Sequence, residues 1–141
     1  MNIQELLALR EGKKTKVYKD SLGKLTGGIG HLLTPEDLKK FKLGDSISED
    51  QVTAWFNKDV AHAKDTAEKQ ATELGITDEW AKTVLISVNF QLGDFKAKFP
   101  DTYKVILNKN YTQAIKNLQA SAWNKQTPVR VKDFTDVLGK L

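Results

Sequence analysis

The sequence predicts an α+β chain, mainly helical, in which a small lobe carrying a β-hairpin and a larger helical lobe are joined by one long helix. Three observations predict it. The stretch Glu11 to His31 combines strand-like alternation with turn glycines, whereas most of the remaining chain repeats apolar residues at helical spacing behind capping residues. From Glu49 to about Glu73 the helical periodicity runs unbroken for roughly 25 residues, about 37 Å at 1.5 Å per residue, longer than a small lobe needs. The bounds that follow are a small lobe at about 12–48, a connecting helix at about 49–73 and a large lobe from about 1–11 and 70–141, all within a single domain.

Each element has a local reason. Asn2 and Glu5 form a capping box that starts a helix over Ile3 to about Arg10, with Ile3, Leu6 and Leu7 inward. Lys16 to Asp20 reads as a strand with one wet face, Ser21-Leu22-Gly23-Lys24 as its turn, and Lys24-Leu25-Thr26 as the returning strand. Thr34-Pro35 opens a short helix ending near Phe41, before Gly44. Ser48 and Gln51 cap the long helix, whose stripe is Val52, Trp55, Phe56, Val60, Ala63 and Ala67; Gly75 ends it. Thr77-Asp78-Glu79 starts a strongly apolar core helix closed by Gly93, and Phe95 and Phe99 fall in a loop before Pro100. Helices over about Asp101–Lys109, over Thr112–Ala120 with Thr112 as cap, and from Thr127-Pro128 to Gly139 complete the larger lobe.

Composition narrows the function. No cysteine occurs, so neither disulfides nor thiol chemistry are available. The opening Met1-Asn2-Ile3-Gln4-Glu5 has no leader pattern and no run of 18 apolar residues occurs, so neither a targeting segment nor a membrane anchor is expected. A formal charge of +4 and a pI near 9.2 suit polyanionic surfaces such as wall polymer or nucleic acid, and no nucleic-acid motif accompanies the charge. Two histidines without cysteine make a poor metal set, and Gly27-Gly28-Ile29-Gly30 has neither phosphate-cradle spacing.

The chemistry concentrates between Glu11 and His31. Glu11 ends the first helix at the negative pole of its dipole, where an anion needs a cationic partner or a reason to keep its proton; a general acid has that reason. Asp20 closes the outgoing strand and Thr26 returns beside it, its hydroxyl able to orient a water. Gly27, Gly28 and Gly30 let the backbone approach something bulky, and a sugar ring would fit. With 18 acidic residues in the chain, an arbitrary carboxylate pair is an ordinary surface pair; two carboxylates flanking a glycosidic bond are the minimum for its acid-assisted hydrolysis.

Glu11-x8-Asp20-x5-Thr26, followed by Gly28-x-Gly30-His31 and with Tyr18 two residues before the aspartate, resembles the phage-type lysozymes. Further matches in the same order are Phe56-Asn57-Lys58-Asp59-Val60, Phe90-Gln91-Leu92-Gly93, Asn117-Leu118, Ser121, Trp123 and Gln126-Thr127-Pro128-x-Arg130. The resemblance implies a two-lobed lysozyme-like fold and an endolysin that cleaves the N-acetylmuramic acid to N-acetylglucosamine bond of peptidoglycan, with inversion and without metal or cofactor. It makes Glu11 the acid, gives Asp20 and Thr26 the charge and the water, and sets Arg130 beside Glu11. It pairs His31 with Asp59, otherwise candidates for a base or a metal site, and lines the cleft opposite the hairpin with Leu32, Phe90, Gln91 and Asn117. It also implies a monomer made in the host cytoplasm that reaches the wall after a holin-type partner opens the membrane. An inactive wall-binding or scaffold protein is the alternative, with Gly27 as its symptom: a β-branched residue is usual there, and glycine is expected to remove packing and loosen the hairpin. Leu22 replaces a polar residue in the region expected to meet the peptide stem of the wall.

Overall fold

The computed structural model describes residues 1–20 and 22–141, so Ser21 of the predicted turn lies outside the described residues. Among them the order is α1 (Ile3–Glu11), β1 (Lys14–Lys19), β2 (Leu25–Gly28), β3 (His31–Leu32), α2 (Pro35–Leu38), α3 (Glu49–Leu74), α4 (Glu79–Leu92), α5 (Phe95–Lys98), α6 (Pro100–Leu107), α7 (Tyr111–Gln119), α8 (Ala122–Gln126) and α9 (Pro128–Lys140). This is the α+β, mostly helical architecture that the sequence predicts. The chain divides into two compact units, Met1–Ala61 and His62–Leu141, and the boundary falls inside the uninterrupted α3. The division groups α1 with the first unit, whereas the bounds read from sequence grouped residues 1–11 with the later helices.

In the first unit, the Asn2 side chain accepts from the Glu5 N–H at 2.9 Å while Glu5 reaches back to the Asn2 N–H, so both halves of the predicted capping box form. Ile3, Leu6 and Leu7 are buried. β1, β2 and β3 make an antiparallel sheet in that order, one strand more than the predicted hairpin. Tyr18 stands opposite Thr26, and Thr26 opposite Leu32, which sets these three side chains in a row on one face. Alternation sends Val17, Leu25 and Leu33 to the other face, against Ile47, Val52 and Trp55. The register of β1 shifts between Lys14 and Tyr18, and its outer edge is closed by Val17 N–H to Asp45 O, Gly44 N–H to Val17 O and Ile47 N–H to Thr15 O bonds.

In the second unit, the apolar face of α4 buries Val84, Leu85 and Val88 in a core shared with Phe95, Tyr103, Ile106, Leu118, Val131, Phe134 and Leu138. Asn89 lies in this core with every polar contact satisfied. Its amide donates to Gln70 Oε1 (2.8 Å) and Leu85 O (2.9 Å), and its carbonyl accepts from Phe95 N–H (2.9 Å). That bond turns Phe95 inward, where it meets Phe134 edge to face at 5.0 Å. The predicted loop at Phe95 is therefore a helical turn, because Asp94 caps it through the Ala97 N–H. Asn110, rather than Thr112, caps α7, and Ser121 caps a short helix, α8, that periodicity over five residues does not reveal.

Gly27 corrects another expectation. A β-carbon there would collide with Ile47 Cδ1, and Ile47 is 4 % exposed, so a side chain from the loop before α3 already fills the space that the glycine vacates. Gly28 likewise approaches Val52 and Trp55. The bulky neighbours at both positions belong to the protein, and packing is relocated rather than lost. Gly27→Ile is expected to destabilise the chain by about 1–3 kcal/mol through overpacking. Adding Ile47→Ala should recover part of that loss in urea unfolding, and a stabilised single variant would contradict the assignment.

Candidate active site

Glu11 is the last residue of α1, and the chain leaves it through Gly12 at φ 69° and ψ −173°, positive in φ but extended in ψ. The carboxyl group of Glu11 lies against Gly30, whose own φ is +62°. A β-carbon on Gly30 would overlap Glu11 Oε2 and stand 2.8 Å from its Cδ, so glycine is required there both by the backbone and by the acid.

Asp20 follows β1. Its Oδ1 accepts the N–H groups of Leu22 and Lys24, each at 2.9 Å, and its N–H donates to Lys24 O, so the carboxylate is fixed by the turn it closes. Among the described residues Oδ2 has no hydrogen bond and is available to a ligand. Thr26 is buried, and its hydroxyl donates to Lys24 O at 3.1 Å, which leaves its oxygen an acceptor. Across the strand pair from Thr26 stands Tyr18, whose phenol is held above its ordinary range by burial first, then by the Glu11 and Asp20 carboxylates. Tyr18 thus reports that both carboxylates lie close to one ring. In the sequence Tyr18 stands out only as a motif position.

The other predicted residues divide between the units. Leu32, half exposed, ends the Tyr18–Thr26 row. In the second unit Phe90 is partly buried on α4, Asn117 on α7 accepts from Gln113 Nε2 at 2.8 Å, and Gln91 is held at both ends of its amide: it donates to Thr127 Oγ1 (3.0 Å) and accepts from Trp123 Nε1 (2.9 Å). Arg130 is buried, with Nη2 donating to Ser87 O (2.7 Å) and Ser87 Oγ (2.9 Å). A concavity of about 590 Å³ in the second unit, lined by Lys64, Ala71, Ile76, Lys82 and others, contains none of these residues.

His31 is buried and carries two acidic partners. Its Nδ1 meets Asp59 Oδ2 at 2.6 Å and its Nε2 meets Asp37 Oδ2 at 2.7 Å, while the ring stacks on Trp55 at 4.4 Å. Asp37 escaped the sequence reading of His31, although Thr34-x-x-Asp37 is a capping box and Asp37 Oδ2 also accepts the Thr34 N–H. Burial lowers the His31 pKa, but the hydrogen bonds to Asp59 and Asp37 outweigh it and raise the group above its usual value. Burial pushes Asp37 up, and its bonds with His31 and Thr34 carry it below the usual carboxylate value. No set of three or more His, Cys, Asp or Glu that could hold a metal occurs among the described residues.

A carboxylate at a helix end, a second one at a hairpin turn and a buried threonine hydroxyl on the returning strand, in a mostly helical α+β chain, are the features of a lysozyme-like class of protein. The pattern of the family described as Phage lysozyme matches residues 8–135, and the chain belongs to that family. It is 33 % identical over 158 residues to a protein named Probable T4-type lysozyme 1 of Dictyostelium discoideum, covering 97 % of this chain and 93 % of that one. To Probable T4-type lysozyme 2 of the same organism it is 31 % identical, covering 92 % and 88 %. To the Peptidoglycan hydrolase gp36 of Pseudomonas phage phiKMV it is 30 % identical over 94 % of this chain but only 14 % of that protein.

The His31 cluster sets a pH dependence. The folded chain binds the His31 proton more tightly than the unfolded one, so this contribution is complete below about pH 6.5 and is lost as pH rises through the folded value. The Asp37 contribution is complete above about pH 4 and is lost as pH falls through its lowered value. Stability from the cluster is therefore expected to be greatest between those limits. His31→Asn should flatten the alkaline side of the urea midpoint plotted against pH; an unchanged slope would assign that side to other groups.

Proposed function

We propose that the chain is a glycoside hydrolase that cleaves the N-acetylmuramic acid to N-acetylglucosamine bond of peptidoglycan with inversion. The observation that carries this reading is the grouping, within one unit, of a carboxyl against Gly30, a second carboxylate with one open oxygen, and a hydroxyl that can only accept from a further partner. Membership of the phage lysozyme family and the similarity to a protein named as a peptidoglycan hydrolase support it.

In this mechanism Glu11 donates its proton to the departing glycosidic oxygen. Water attacks from the opposite face of the ring, held by Thr26 Oγ1 and by Asp20 Oδ2, and Asp20 takes its proton as the new carbon–oxygen bond forms. The hydroxyl explains why inversion is proposed: a residue that positions water has a task where water attacks, and none where Asp20 itself bonds to carbon. Leu32, Phe90, Gln91 and Asn117 are assigned to glycan binding and His31, Asp59 and Arg130 to support of the site. The biological setting that follows is an endolysin made in the host cytoplasm and admitted to the wall by a separate membrane-permeabilising protein. No helix among the described residues is long and apolar enough to cross a membrane.

Clearing of chloroform-treated Gram-negative cells tests the reaction class, and intact walls would refute it. Glu11→Gln is expected to lower hydrolysis at least about a hundredfold while stability is kept or raised, since it removes the proton donor and an anion from a helix C-terminus. A folded variant that still lyses cells would remove Glu11 from the mechanism. The anomeric proton of freshly released sugar, followed by NMR before mutarotation, is expected to show the α product; the β product would mean retention.

A further inference from the structure

Tyr18 is the one member of the sheet's catalytic row to which no role has been given. It stands directly across from Thr26, which stands across from Leu32, so its ring and those two side chains form a continuous strip on the face that also meets Glu11 and Asp20. Adjacent strands lie about 4.8 Å apart, which makes the strip on the order of 10 Å wide from Tyr18 to Leu32. The ring is partly exposed, and its hydroxyl has no hydrogen-bond partner among the described residues. A tyrosine retained only for its apolar ring has no need of that oxygen.

We propose that Tyr18 is a substrate-contacting residue of this site, its phenol donating a hydrogen bond to an oxygen of the sugar that loses the glycosidic bond and so seating that ring against Thr26. This rests on the glycosidase reading above. Burial and the two neighbouring carboxylates keep the phenol protonated, so it acts only as a neutral donor and acceptor at any pH where Glu11 and Asp20 work. The attacking water is the less suitable recipient. Thr26 Oγ1 and Asp20 Oδ2 take its hydrogens, and a donor aimed at its lone pair would weaken its attack. A sugar oxygen accepts the bond at no such cost, while the ring face of Tyr18 covers pyranose C–H groups.

Tyr18→Phe removes the oxygen and keeps the ring. The expected result is a kcat/KM on purified peptidoglycan sacculi lower by roughly tenfold, the size of one neutral hydrogen bond, with the thermal midpoint unchanged. In a Glu11→Gln background the same change should weaken binding of a soluble two-repeat peptidoglycan fragment by a similar factor, read by calorimetry. Wild-type kcat/KM together with unaltered fragment binding would overturn the proposal, as would a rate loss matched by a fall in the thermal midpoint with binding intact. Should the wild-type chain leave sacculi uncut, the glycosidase reading fails by itself, and the fragment titration still decides whether the Tyr18 hydroxyl holds sugar.

Discussion

The pairing of β1 with β2, in the register that sets Tyr18 opposite Thr26, is the constraint on which the first unit depends. Strand side chains alternate, so a slip of one residue would send Tyr18 and Thr26 into the core and Val17 and Leu25 to the open face. Two devices hold the register. Ile47, Val52 and Trp55 receive the apolar set on one side, and the Asp20 carboxylate ties the turn at the other end through the N–H groups of Leu22 and Lys24. The second device is economical in residues: the group that fixes the hairpin is also a candidate for the chemistry, and among the described residues one of its two oxygens is used in the fixing.

Local signals carried the element order. Asn2 with Glu5, Thr34 with Pro35 and Asp78 each cap the helix that the sequence assigns them, because such bonds span three residues and need nothing from the rest of the fold. The errors fall where distant residues decide. Gly27 reads locally as a loosened strand, yet Ile47, twenty positions on, occupies the gap. Phe95 lies just past the helix-ending Gly93 and reads as loop, yet its N–H is claimed by Asn89 on the preceding helix, and Asp94 then has a turn to cap. In the site, the E-x8-D-x5-T spacing pointed to Glu11, Asp20 and Thr26 as a set. Asp37 was concealed because its capping role already accounted for it, and nothing in the sequence says that the same oxygen faces a histidine.

Each unit here has an interior of its own. The second closes on Asn89, Gln70 and Asp94, joined by hydrogen bonds of 2.8 and 2.9 Å, and the first on the apolar face of its sheet.

The setting of His31 makes its imidazole a built-in spectroscopic probe. Its ring belongs to β3, its two nitrogens meet carboxylates from α2 and α3, and its face rests on Trp55. While the ring carries both protons, its two N–H groups are screened from solvent and bound to carboxylates only as long as sheet, short helix and long helix are docked together. Such protons resonate far downfield of the amide envelope and exchange slowly with water. One pair of NMR lines, well separated from everything else in the spectrum, thus counts the fraction of molecules in which the first unit is fully assembled.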